Sequence, residues 1–103
     1  MKKHQLVYTI TAQHDLDAIF DYIVDESGYA SKADAFVLKL EKKCEEIARV
    51  PFHIGKNRSN LREDMRSLPF GNYVIFFRYI DDTVEIINIL QGHRDIEGFY
   101  EKA

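Results

Sequence analysis

The sequence predicts an α+β domain: an N-terminal strand, an antiparallel helical hairpin packed on a mainly antiparallel four-stranded sheet, and a short C-terminal helix. Three observations predict it. Two long segments in the first half repeat apolar residues at helical spacing, and three shorter segments after residue 64 are β-branched and aromatic. The links between those three are too short for anything but antiparallel hairpins. The element order is therefore β-α-α-β-β-β, with the helices on one face of the sheet. With 103 residues, 46% of them hydrophobic, the chain can bury one core but not a second, so a single domain over residues 1–103 is expected.

Residues 6–11, Leu-Val-Tyr-Thr-Ile-Thr, alternate and read as the first strand, which has to join the sheet from far away in sequence. Thr11 is the expected N-cap of a helix over residues 12–27, with Asp15 and Asp17 near the positive end of its dipole. Leu16, Ile19, Phe20 and Ile23 share one face of it, and Gly28 stops it. Ser31 and Asp34 resemble a capping box for a second helix over residues 31–49, whose stripe is Phe36, Val37, Leu40, Cys44 and Ile47. That helix ends before Pro51. Residues 52–64 have turn formers and charge but no period, and read as a loop. Strands follow over Met65 to Leu68, Tyr73 to Ile80 and Val84 to Leu90, with turns at Pro69 to Asn72 and at Asp81-Asp82. The last of these strands is almost continuously apolar, as expected when both of its faces are covered.

The net charge of −3 conceals a division. Residues 1–48 carry −3, residues 49–80 carry +4 and residues 81–103 carry −4, so a basic island with five arginines stands between acidic flanks. An overall acidic balance speaks against a protein that lives on non-specific nucleic-acid affinity, and no sequence-specific nucleic-acid binding is expected. No apolar run is long enough to span a bilayer, and Met1 to Gln5 do not open a secretory leader. The single cysteine, Cys44, lies on an apolar helix face and reads as packing in a reducing compartment. A cytoplasmic location without membrane contact is expected.

Leu90-Gln91-Gly92-His93-Arg94-Asp95-Ile96 is the stretch closest to chemistry, because a histidine, an arginine and an aspartate follow an apolar strand. The glycine-rich loop and Asp-Phe-Gly that would make it a kinase loop are missing from the sequence. A structural reading needs less: Gly92 turns the chain, and Asp95 caps a short helix over residues 95–101 and pairs with Arg94 or another arginine. Arg78 alternates with Val74, Phe76 and Ile80, which suits a half-buried partner of a carboxylate. His4, His14 and His53 lie in different elements without metal-ligand spacing, and neither a phosphate loop nor a nucleophile elbow occurs. No metal and no cofactor are expected.

Four stretches carry a family resemblance: Asp15-Leu16-Asp17-Ala18-Ile19-Phe20-Asp21-Tyr22-Ile23, then Arg66-Ser67-Leu68-Pro69-Phe70-Gly71-Asn72-Tyr73-Val74-Ile75-Phe76-Phe77-Arg78-Tyr79, then Val84-Glu85-Ile86-Ile87, and Gly92-His93-Arg94-Asp95-Ile96. Taken in order over nearly the whole chain, they resemble the ParE toxins of the RelE/ParE superfamily. The resemblance implies the toxin half of a toxin–antitoxin pair, as in plasmid-stabilisation systems, neutralised by a small cognate antitoxin. ParE-type members inhibit DNA gyrase by binding it, whereas RelE-type members cut mRNA on the ribosome, and fold alone does not separate the two. On the ParE reading the protein is not an enzyme. Arg58, Arg62, Arg66, His93 and Arg94 are then the target-binding candidates, and Phe20, Val24, Phe36, Leu40 and Arg78 the antitoxin-binding candidates. On the RelE reading Arg66, Arg78 and Arg94 would clamp a phosphate and His93 would act as acid or base, with Tyr100 a further candidate. The chain departs from the family pattern where an arginine in the last strand and a histidine after it are replaced by Asn88 and Gln91, and where His93 replaces a small residue. A relative that only binds its antitoxin is the third reading.

Overall fold

The structure is a computed structural model that describes residues 4–102; residues 1–3, part of the stretch read as no secretory leader, and residue 103 lie outside the described residues. The elements are β1 (Gln5–Tyr8), α1 (Ile10–Ser27), α2 (Ala30–Arg49), β2 (Lys56–Asn57), β3 (Met65–Phe70), β4 (Tyr73–Ile80), β5 (Thr83–Gln91) and α3 (Ile96–Lys102). They form the expected α+β arrangement around a sheet of order β1-β5-β4-β3-β2. The sheet is mixed and five-stranded: β1 runs parallel to β5, with Gln5 opposite Thr83, and the other pairs are antiparallel. The added strand, β2, is two residues inside the segment read as a loop, too short to show a period.

Several boundaries differ from the sequence reading for local reasons. β1 stops at Tyr8, and Thr9 rather than Thr11 caps α1, its Oγ1 accepting the Ala12 N–H at 3.0 Å. Thr9 has the extended backbone a cap needs, while Thr11 already lies in the helix. Asp15 then falls past the first turn, so dipole stabilisation is not its role. The Ser31–Asp34 capping box does not form: α2 starts at Ala30 after Tyr29, without a side-chain cap. Gly28 ends α1 in the left-handed region, at φ 77°, as a C-cap glycine does. β3 continues through Pro69 because β2 covers only Arg66 and Ser67, leaving Pro69 on an open edge where no N–H is required. Gly92 needs no left-handed backbone; its N–H donates to the Asn72 carbonyl at 2.8 Å and prolongs the ladder.

Both faces of the sheet are covered, as the apolar run in β5 predicted. Under the hairpin lie Ile19, Leu40, Cys44, Ile47, Ile75, Phe77, Val84 and Ile86, among others. The opposite face holds a second cluster of Met65, Phe76, Ile87, Leu90 and Tyr100, closed by Leu61, Ile96 and Phe99. Cys44 is fully buried, and burial pushes its thiol up to about 11, so it packs as an inert neighbour of Tyr8.

A bulge in β5 ties the two halves together. Phe76 faces Asn88 but Phe77 faces Ile86, which leaves Ile87 as the extra residue. Its carbonyl accepts from Thr9 Oγ1 at 2.8 Å and Thr11 Oγ1 at 2.9 Å. Asp15 Oδ2 accepts the Ile89 N–H and the Asn88 side-chain amide, each at 2.9 Å. The first turns of α1 thus take up backbone groups that no strand reaches.

Candidate partner-binding surfaces

The four candidates for a nucleolytic site do not assemble. Arg66 and Arg78 project from opposite faces of the sheet, because Met65 and Phe76 lie in the second cluster while Phe77 lies under the hairpin. Arg66 donates from Nε to the Ile54 carbonyl at 2.7 Å and from Nη2 to that of Gly55 at 2.9 Å, pinning the segment before β2. Gly55 is obligatory there: at φ 91°, an added Cβ would lie 2.8 Å from Phe77. Arg78 is paired with Glu85 at 2.8 Å, the half-buried carboxylate partner that its position predicted. His93 and Arg94 sit beyond the far end of β5, roughly 20 Å along the strand from that ion pair.

Two arginines of the basic island, Arg58 and Arg62, gather around the second cluster together with Arg94 from the acidic C-terminal third. Arg58 lies over the Phe76 ring at 5.6 Å, Arg62 over Tyr100 at 5.2 Å, and Arg94 over Phe99 at 4.6 Å. Each guanidinium covers an aromatic face; Arg62 and Arg94 are exposed and Arg58 is half-buried. Of the target-binding candidates, three therefore share one surface, His93 is an exposed neighbour of Arg94, and Arg66 is spent elsewhere.

Tyr100 is the anchor of that surface. Its hydroxyl donates to Asn88 Oδ1 at 3.1 Å, and Asn88 in turn donates to Asp15. Burial holds the Tyr100 hydroxyl well above its ordinary value; Arg62 and Arg58 oppose that shift and Asp15 adds to it. Asn88 and Gln91, the two departures in β5, thus both have structural partners. Gln91 hydrogen-bonds the Tyr73 hydroxyl, a bond that works against the upward shift burial gives Tyr73. Asp95 caps α3 as predicted, its Oδ1 accepting the Gly98 N–H at 3.0 Å, while Arg94 turns to Phe99.

On the hairpin, Phe20, Val24 and Phe36 are half-buried, and Phe36 meets the Phe70 and Tyr73 rings at 5.7 Å. Leu40 is fully buried in the core and offers no surface in the free chain. Sequence patterning overlooked the exposed apolar residues Tyr22 (49%), Tyr29 (60%) and Leu38 (54%), which flank the buried stripe without breaking its period. His4 and His53, scattered in sequence, meet on Tyr79, His53 stacking on its ring at 4.0 Å and His4 tilting at 4.9 Å. Among the described residues, no group of three or more side chains is placed to hold a metal ion. No described helix is long and apolar enough to cross a membrane.

Comparison with known proteins fits this geometry. No curated protein matches the chain. A solved structure described as "Chromosomal ParDE TA system from P. aeruginosa" superposes with a TM-score of 0.75 at 24% sequence identity, over 86% of this chain and 96% of that one. At that identity the likeness is one of fold. The family model for the ParE toxin of the type II toxin-antitoxin system, parDE, matches residues 6–96. That match spans β1 through the start of α3, so the chain belongs to the ParE toxin family of type II toxin–antitoxin systems.

Proposed function

We propose that this chain is a non-enzymatic, cytoplasmic toxin that inhibits DNA gyrase by binding it and is neutralised by a cognate antitoxin. The family match over residues 6–96 carries the reading. The division of the surface supports its details. Arg58, Arg62 and Arg94 offer cations on the α3 side, suited to an acidic or phosphate-bearing target surface, while the hairpin presents Phe20, Val24 and Phe36 beside exposed Tyr22. Arg78, paired with Glu85 on the face of the sheet opposite the hairpin, is the one antitoxin-binding candidate apart from the hairpin group.

Purified chain added to a gyrase supercoiling assay at micromolar excess should inhibit it, and Arg62→Glu/Arg94→Glu should not. Full supercoiling with the wild-type chain would overturn the gyrase claim. Cleaved transcripts on ribosomes would replace it with the RelE-type endoribonuclease, of whose candidates Arg66 and Arg78 lie on opposite faces of the sheet, away from His93 and Arg94. Unimpaired growth on expression of the chain alone would leave an antitoxin binder without potency.

A further inference from the structure

We infer that Asn88 is a positioning residue for target binding: its one buried amide, held by Asp15 of α1, fixes α3 through the Tyr100 hydroxyl and so presents Arg58, Arg62 and Arg94 to the target as one surface. This rests on the target-binding reading above and deepens it by naming a residue that governs the surface without touching the partner.

Asn88 is 6% exposed and out of a partner's reach. Its amide is oriented by its neighbours. Asp15 Oδ2 accepts the Ile89 N–H, so the Asn88 side chain turns its NH2 group to that oxygen, at 2.9 Å. The Asn88 carbonyl is thereby left for Tyr100, whose hydroxyl donates to it at 3.1 Å. Asp15 is itself tied to the β5 backbone by the Ile89 bond, so the chain of contacts from α1 to α3 starts from a fixed point.

α3 needs such a bond. With 7 residues it falls short of the roughly 12 to 15 at which a helix begins to hold its own shape. Ile96, Phe99 and Tyr100 attach it through apolar contacts, which have no preferred direction and let a short helix roll or slide. Among the described residues, the Tyr100 hydroxyl makes its only hydrogen bond to the sheet, because the Gly98 and Phe99 N–H groups both turn back to Asp95. Tyr100 is also the middle ring of three. It meets Phe76 edge-on at 5.5 Å and Phe99 at 5.1 Å, and each of the three rings carries one arginine. A roll of α3 shifts the rings under Arg62 and Arg94, while Phe76 in β4 keeps its place under Arg58, and the spacing of the three cations changes. Complementarity to a charged partner depends on that spacing.

The test uses two shape-conserving variants of the full chain. Tyr100→Phe leaves the Asn88 carbonyl unpaired. Asn88→Leu/Tyr100→Phe replaces both partners by apolar groups of similar shape, and half-buried Asp15 keeps the Ile89 N–H, so the urea midpoint should stay close to that of the wild type. Inhibition of gyrase supercoiling should nevertheless weaken roughly fivefold to tenfold in both. In NMR spectra, the Nε–H resonances of Arg62 and Arg94, displaced by the ring currents of Tyr100 and Phe99, should move toward those of a free arginine. Should the double variant lose stability, Ile47→Val supplies a comparable loss from the hairpin side and is expected to leave inhibition and both resonances unchanged. Inhibition by the double variant at the wild-type level, unmoved arginine resonances, or an equal loss of inhibition in Ile47→Val would each overturn the inference. A wild-type chain that leaves gyrase active sinks the gyrase reading instead, and the arginine resonances then still decide whether Asn88 fixes the surface.

Discussion

The two faces of the sheet are closed by different means. On one, two helices of 18 and 20 residues lay down a stripe of aliphatic and aromatic side chains and seal it. On the other, a helix of 7 residues and an irregular segment have to cover Met65, Phe76, Ile87 and Leu90. So small a cover leaves ring faces open, and arginines close them. Apolar side chains seal a face and hide it; guanidinium groups seal it and leave charge outside, and so the less completely buried face becomes the one suited to a charged partner.

The largest expected effect tests the sealed face. Leu40 is fully buried between hairpin and sheet, so Leu40→Ala should cost about 3 kcal/mol through lost burial and a cavity. A urea titration reads it as a lowered midpoint, and a loss below 1 kcal/mol would mean that the hairpin is not the dominant source of stability. The second face should respond less to its own central change. Asn88→Ala removes the acceptor of the Tyr100 hydroxyl and one donor to Asp15, at a cost of about 2 kcal/mol for buried groups left unpaired. Amide exchange locates the damage: α3 should exchange faster while α2 keeps its protection. Equal acceleration in both would show that the two faces unfold as one unit.

What the sequence could say about each face follows from how the face is built. The hairpin was legible from period alone, because Ile19, Phe36, Leu40, Cys44 and Ile47 recur as a helix requires. So were β4, β5 and the cap at Asp95. The mixed sheet was not, since nothing in Gln5–Tyr8 records the direction of a partner beginning at Thr83. Thr9 and Thr11 compete for one capping position, and Thr9 takes it because its backbone is extended where Thr11 already lies in the helix, while both hydroxyls reach the Ile87 carbonyl of β5. Arg58 and Arg62 were recognised within an island of charge, but their gathering with Arg94 around Phe76, Phe99 and Tyr100 depends on contacts between segments far apart in sequence. Arg66 and Leu40 were placed on binding surfaces for their residue type; one is spent on the Ile54 and Gly55 carbonyls and the other is wholly interior.

The smallest expected effect on stability is the sharpest test of the contrast. Arg62 is exposed and its interaction is with the ring of Tyr100 at 5.2 Å, so Arg62→Ala should lower stability by only about 0.5 kcal/mol. The Tyr100 hydroxyl keeps its bond to Asn88, and α3 stays in place. If the arginines serve as lids alone, Arg62→Met, which restores apolar cover without charge, should recover the lost stability and leave the proposed gyrase binding unimpaired. If they serve both as lids and as contacts, Arg62→Met should recover stability but not binding, and Arg62→Lys should recover binding more than stability. Chemical denaturation beside gyrase binding measured on the same three variants separates the two, because the methionine retains the packing of the arginine stem and the lysine retains the charge.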